Sequence, residues 1–513
     1  MHDNINVVII FFENMKRFFF VVSAVVVALC SWALEVSNTA GSLEQAVPDV
    51  SITQLTITGA MDARDFKFIA GKLNSLESID MSNVTIVAYQ DDEKPLFLDL
   101  TTYEENTIPA TAFMGKKLRE VQLPATLKTI DVAAFAGCEN LETLSLPASL
   151  EVIAPYAFTA CNKLRAITLP QGLKQMGDGA FSRCATLEAA TITPAGDFAI
   201  GKDAFQDCKS LSSVTIGQNV SRIMAGAFSG CTALANPVIE SGSKLASMGE
   251  AAFAASGVES IALDQCVELK SIGMWAFANT SLKNISLPSS LESLGDGAFY
   301  YNLDMEDIDL PSTLTSLSNY LLAGNNNIIT EQPVKDGVAS IGDYAFYNWD
   351  NTREFNFPQS VRYIGTKAMA GQTALELVTA KPTTVPELGD DVWAGVPQHY
   401  IPLKVDKAVK QDYKDAEQWK EFIIQDLPTS IDTSIADAET KVKAWFSGHM
   451  LNVSATSEIA SIAIFDTRGV MLGVATPASM RAELNTANYY GNYYIVSVVL
   501  ADGSRHNYKL LRK

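Results

Sequence analysis

The apolar positions of this chain fall into three columns that recur together. The clearest is an Ala-Phe pair whose phenylalanine returns at Phe113, Phe135, Phe158, Phe181, Phe205, Phe228, Phe253, Phe277 and Phe299. The beat continues as Leu322, Phe346, Met369 and Trp393, always 22 to 25 residues apart. A second column reads LxxLxLP, as in Leu141-Glu142-Thr143-Leu144-Ser145-Leu146-Pro147, with copies from Leu164, Leu282 and Met305. Its period of two predicts a short strand with one buried face. The third column is shorter, as in Leu127 to Ile130, Leu150 to Ile153 and Val361 to Ile364. One such unit does not stand alone. Burying its phenylalanine contributes roughly 1.5–3 kcal/mol, whereas ordering each backbone residue costs about 1–2 kcal/mol. Stacked units share every column as a continuous spine. The pattern therefore predicts a mainly β solenoid of about thirteen coils.

Written together the columns give LxxLxLPxxLxxIxxxAFxxCxxL, which is similar to the repeat of the BspA-type bacterial leucine-rich repeat proteins. The resemblance runs from about Ile108 to Trp393. It implies a right-handed leucine-rich superhelix at 108–402 with helical caps. Leu55 to Ile86 looks like part of an N-terminal cap and degenerate repeat at 34–107, with a short helix near Asp62 to Leu73 before a first strand. The stretch 403–427 looks like a C-terminal cap, in which Val409, Tyr413, Ala416, Trp419 and Ile423 fall on one helical face. The family implies secreted or surface-exposed binding proteins, some of them associated with host matrix proteins.

Five cysteines travel with the beat. Cys138, Cys161, Cys184, Cys208 and Cys231 each follow their phenylalanine by three residues. Stacking makes them one ladder with rungs roughly 4.8 Å apart. One reading is a metal site or redox relay; the other is a column of small buried thiols filling a tight turn and bonding weakly to backbone. Ser256, Thr280, Asn302 and Asn325 take the position in other coils, which suits a turn and not a shared metal. With Cys266 the chain after the leader holds six cysteines. That parity allows disulfides, but a large core makes them unnecessary and parallel rungs pair badly.

The two ends differ from the array. Lys16 and Arg17 precede an apolar run from Phe18 to Leu29, and Ser31-Trp32-Ala33 supplies a cleavage site. Residues 1–33 read as a secretory signal peptide with a start at Met15, or with Cys30 as a lipid acceptor. Residues 428–442 read as a linker. Residues 443–513 show short alternating strands that predict a small immunoglobulin-like β-sandwich. The pieces Ile464 to Leu472, Gly491 to Val498 and Lys509 to Lys513 resemble the C-terminal sorting domain of the type IX secretion system of Bacteroidetes. That resemblance implies export to the surface of, or beyond, a Gram-negative cell.

Charge and chemistry narrow the function. Lys plus Arg total 38 against 58 Asp plus Glu, a net charge of -20. That disfavours nucleic acid and anionic membrane surfaces as partners. No G-x-S-x-G, H-E-x-x-H, P-loop or EF-hand pattern occurs. His399, His449 and His506 do not cluster in sequence. No catalytic residue, cofactor or metal ligand is assigned, although a dyad among the many serines and carboxylates stays open. The acidic runs Asp91-Asp92-Glu93 and Glu104-Glu105 read as a solvated loop, with a calcium site as the alternative.

The expectation is a binding protein for a protein or glycan, host matrix included; the alternatives are a structural spacer and an enzyme. One candidate surface is a hydroxyl column on the strands: Ser145, Thr168, Thr191, Thr215, Ser286 and Thr379. The other is aromatic. Trp275, Tyr320 and Tyr344 lie two residues before their beats, Tyr300 and Tyr347 one after, with Tyr301 and Trp349 close by. Stacking gathers these seven onto one flank. They are either a partner site, since Tyr and Trp dominate binding hot spots, or a cover for the spine where the thiols end.

Overall fold

The computed structural model describes residues 33–91, 95–98, 100–330, 332–427, 442–447, 449–466, 470–489 and 493–512. The expected signal segment before Ala33, the linker before Val442 and the acids Asp92 and Glu93 lie outside them. The chain divides into two compact units on either side of the Leu427–Pro428 bond.

The first unit is a β-solenoid of stacked parallel coils. The LxxLxLP column forms one line of strands, such as Ala166–Thr168, Ala189–Ile192, Ser213–Ile216 and Val238–Ile239, paired in parallel and in register. The short third column forms a second line, as in Thr129–Ile130, Val152–Ile153 and Gln175–Met176. Inward residues of both lines, Ile167, Val214, Ile130 and Ile153 among them, are buried in one continuous core. Polar residues alternate with them outward, as the period of two requires.

The beat occupies a third corner. The Phe135 N–H donates to the Ala157 carbonyl at 2.8 Å, Phe158 to Ala180 and Phe181 to Ala204, so each phenylalanine is pinned to the coil that follows. Nine rings from Phe113 to Phe299 stack with centroids 4.9 to 5.8 Å apart. At every beat from Phe113 to Trp393, the residues two before and two after have positive φ. Glycine fills some of these positions. Trp275, Tyr320, Tyr344, Tyr301, Asp203 and Arg183 fill others, at a steric cost of roughly 1–2 kcal/mol each. The repeated backbone bonds between coils hold the bend whatever side chain it carries.

Four residues before several beats stands a glycine. A Cβ on Gly273 would lie 2.5 Å from the Gly249 carbonyl carbon, and one on Gly249 would lie 2.5 Å from the Ala225 nitrogen. Neighbouring coils touch there backbone to backbone, a contact only glycine permits.

The ends of the array depart from the sequence expectation. The helix Ala63–Lys72 forms as expected, with Asp62 and Asp65 making a reciprocal capping box. It does not precede the first strand, because Ala33–Asn38 and Gln54–Met61 already pair in parallel ahead of it. At the other end the single helical face dissolves. Pro402–Val405 and Ile423–Asp426 are strands that extend the sheet, and only Lys410–Asp415 is α-helical. Ala416 is extended and Gln418 has φ 63°, which stops the helix before Trp419. Tyr413 and Trp419 are buried, while Ile423 is exposed on its strand.

The second unit is a curled six-stranded antiparallel sheet and not an immunoglobulin-like sandwich. The strand Met450–Phe465 is 16 residues long. Its first half pairs with Val442–Ser447 and Ser479–Asn485, its second with Met471–Ala475 and Tyr493–Leu500. One strand thus serves both halves, and no second sheet separates. Arg505–Leu511 completes the order beside Tyr493–Leu500. Val453, Ile462, Tyr494 and Val498 lie in the core inside the curl.

Candidate functional site

The thiol column lies wholly in the core. The Cys138 thiol donates to the Phe113 carbonyl at 3.1 Å, Cys161 to Phe135 at 3.4 Å, Cys184 to Phe158 at 3.2 Å, Cys208 to Phe181 at 3.1 Å and Cys231 to Phe205 at 3.1 Å. Each caps the beat carbonyl of the coil before. Asn302 donates to Phe277, Asn325 to Phe299 and Gln372 to Phe346 from the same position. Most of the column reaches back one coil in this way, whereas the Ser256 and Thr280 hydroxyls turn to the Phe253 and Phe277 carbonyls of their own coils. The six cysteines among the described residues are free and buried. Among the described residues, no group of three or more His, Cys, Asp or Glu is arranged to hold a metal ion.

Burial pushes the Cys138 and Cys231 thiols up from 9 to about 12. Cys138, Cys161, Cys184, Cys208, Cys231 and Cys266 are therefore expected to resist maleimide at pH 7.5 in the native protein, and to take up one equivalent each only after unfolding in urea. The unfolded chain loses these protons near pH 9 while the folded chain keeps them. Stability should thus fall as pH rises from about 9 toward 12. Stoichiometric labelling of the folded protein would refute the assignment.

The aromatic residues part into two groups. Six meet on the outer flank. Trp275 and Tyr300 are edge-to-face at 5.1 Å, and Tyr344 and Tyr347 are edge-to-face at 5.7 Å. Tyr320 stacks on Tyr344 at 4.8 Å and lies 6.3 Å from Trp275; Tyr301 lies 4.9 Å from Tyr300. The turn itself juxtaposes the two positions. The Tyr347 N–H donates to the Tyr344 carbonyl at 3.1 Å, and Ala278 to Trp275 at 3.0 Å, closing each bend around the beat. Five of the six are half-buried, and Tyr301 is 41% exposed.

Trp349 is not among them. It sits three residues after Phe346, in the thiol column, fully buried, and its indole N–H donates to the Leu322 carbonyl at 2.8 Å. Tyr156 was missed by the sequence reading. It stands two residues before Phe158 with the same positive φ, and it is 51% exposed. Its column position is the signal that could have found it.

A polar line runs beside the aromatic one, three residues before the beats from Phe299 to Met369. The Asn319 N–H donates to the Asp296 carboxylate at 3.1 Å, Asp343 N–H to the Asn319 side chain at 2.8 Å, and Thr366 N–H to Asp343 at 2.7 Å. These side chains are engaged in holding adjacent coils. Burial and the nearby Tyr344, Asp343, Tyr300 and Asp296 raise the Tyr320 hydroxyl above its ordinary value.

The hydroxyl column is only partly continuous. Thr168, Thr191 and Thr215 are in register, but the strand line breaks between Thr143–Leu144 and Ala166–Thr168. A cleft of about 870 Å³ opens there, lined by Leu144, Ser145, Leu146, Arg165 and Thr168. Leu144 and Leu146 are half-uncovered where their counterparts Ile167 and Leu169 are buried.

The array is similar to known leucine-rich repeat structures to different extents. A leucine-rich repeat protein from Bacteroides ovatus superposes with a TM-score of 0.51 at 22% identity, over 64% of this chain and 89% of that one. A leucine-rich cell surface protein from Faecalibacterium prausnitzii gives 0.32 at 20% identity, over 67% and 82%. The pneumococcal vaccine antigen PcpA gives 0.29 at 20% identity, over 50% and 76%. No curated protein matches. The BspA type leucine rich repeat region matches in six copies, over 106–235, 198–329 and 325–435. With well over half of its length so matched, the chain belongs to the BspA-type leucine-rich repeat family.

Proposed function

We propose that this is an exported, non-catalytic binding protein that meets its partner on the aromatic flank between Trp275 and Tyr347. The observation that carries the reading is the set of six clustered, partly exposed aromatic side chains. Such residues combine large apolar area with few rotors, the composition of binding hot spots. The family supports a surface or secreted setting, and the tail's likeness to type IX sorting domains supports export as that unit's task. Host matrix proteins are the first partners to try.

Replacing Trp275, Tyr300, Tyr344 and Tyr347 together by serine should weaken capture of its partner from a matrix-protein and glycan panel at least tenfold, about 1.4 kcal/mol. The urea midpoint of the array should stay within the range of the other surface variants. Retained capture, or loss of folding without a separable loss of binding, would show the flank to be only a cover for the spine.

A further inference from the structure

The main strand line of the array ends in an open edge on both sides. It begins with Ala33–Asn38, which pairs only with Gln54–Met61, and finishes with Ile423–Asp426, which pairs only with Pro402–Val405. Among the described residues neither strand has a neighbour on its other side. The Ile423 and Leu427 N–H groups donate back to the Ile401 and Val405 carbonyls at 3.0 and 2.7 Å. Alternation along the strand therefore turns the main-chain groups of Ile424 and Asp426 to the open side. Such an edge is a template for another strand. Both edges are parallel members of one line, so each has the direction the other needs.

The inward residues of the two edges also match. At the finish they are Phe422, just before the strand, then Ile424 and Asp426; the last two lie opposite Leu403 and Val405. At the start they are Leu34, Val36 and Asn38, opposite Leu55, Ile57 and Gly59. Setting Phe422 beside Leu34 joins apolar to apolar twice and places Asp426 beside Asn38. Slipping the pair so that Ile424 meets Leu34 would set the Asp426 charge on Val36, which is costly. The matched register leaves Leu427, where the chain passes to the second unit, beyond the paired residues. Cleavage at the site expected after Ala33 leaves Leu34 to Asn38 in place.

Charge favours the same contact. The first coil, residues 33–53, carries Glu35, Glu44 and Asp49 and no lysine or arginine. Residues 403–427 hold five lysines against six acids, but Asp406, Asp415, Glu417 and Asp426 are engaged by groups of that segment. Lys407, Lys410 and Lys414 gather close to Asp426, and so to the open edge.

We propose that copies of this chain stack end to end, Ile423–Asp426 of one pairing in parallel with Ala33–Asn38 of the next. The two surfaces differ, so the contact is heterologous and does not close on itself; it propagates as a filament. The proposal stands apart from the reading of the aromatic flank. Together they imply that each added copy repeats that flank, so a partner with recurring sites is held by several at once.

The chain without its expected signal segment would be followed by sedimentation velocity from micromolar to submillimolar concentration. The expected result is a series growing past the dimer at low salt and receding at high salt. Glu35→Lys/Glu44→Lys and Lys407→Glu/Lys414→Glu should each remain monomeric with unchanged urea midpoints. Mixed in equal amounts they should assemble again, because each reversed end then meets its complement on the other variant. Asp426→Pro removes an N–H that faces the open side, and it should stop growth at any salt. A monomer throughout, growth that halts at the dimer, reversed variants that assemble like the parent, or a mixture that stays monomeric would overturn the proposal.

Discussion

Phe181→Ala is expected to destabilise the array by about 3–5 kcal/mol, the cost of truncating a fully enclosed aromatic core residue. The ring is fully buried between Phe158 and Phe205, at centroid distances of 5.2 and 5.5 Å. The site has little freedom to collapse. Phe158 is tied to Ala180, and the residue at 181 stays tied to Ala204, by 2.8 Å backbone bonds that fix the coil spacing. The void would remain and its lining would lose contacts on one side. Ser145→Ala, on the outward side of its strand, should stay within about 0.5 kcal/mol. Urea melts of the two variants decide the matter; equal losses would overturn the division into buried and exposed columns.

Trp349→Ala should cost a comparable 3–5 kcal/mol, which separates it from its aromatic neighbours on the flank. Its ring packs edge-to-face on Phe346 at 4.9 Å, and its N–H reaches back to Leu322. Trp349→Phe isolates the second contribution. It retains most of the volume and removes the donor, so the expected loss is about 1–3 kcal/mol, that of a buried carbonyl deprived of its partner. A cost below 0.5 kcal/mol for the alanine variant would return Trp349 to the surface.

Trp349 also shows where the sequence could and could not be read. The phenylalanine beat was legible because one apolar residue recurs at a fixed interval and only stacking makes that useful. The thiol column was legible as a position bonded to backbone, but not the carbonyl it reaches. Cysteine, asparagine, glutamine and tryptophan look unrelated until their common act, donation to the carbonyl one coil back, is seen. Trp349 was grouped by residue type with the tyrosines, when its offset of three from Phe346 already placed it in the core. The positive-φ corners were hidden because many carry Ala, Asp, Tyr or Trp instead of glycine. The closing segment misled for another reason. Spacings of three and four among Val409, Tyr413, Ala416 and Trp419 match a helical face, yet the turn at Gln418 and the pairing of Ile423–Asp426 with the preceding strand prevail. The tail's strands were visible, but not that one of them would run for 16 residues and bind both halves of its sheet.

The corner two residues before each beat has a consequence for how this protein can change. Its backbone is the same whether it bears Gly179, Asp203, Ala251, Trp275 or Lys367. The penalty for a left-handed residue is nearly the same for most side chains that are not β-branched, so exchanging one for another leaves the frame almost untouched. Each coil is a socket that accepts a new side chain without renegotiating the scaffold. Selection can therefore rewrite the outer flank one coil at a time, and a duplicated coil arrives with its socket already formed. Recognition in such a molecule can drift quickly over a skeleton that hardly moves.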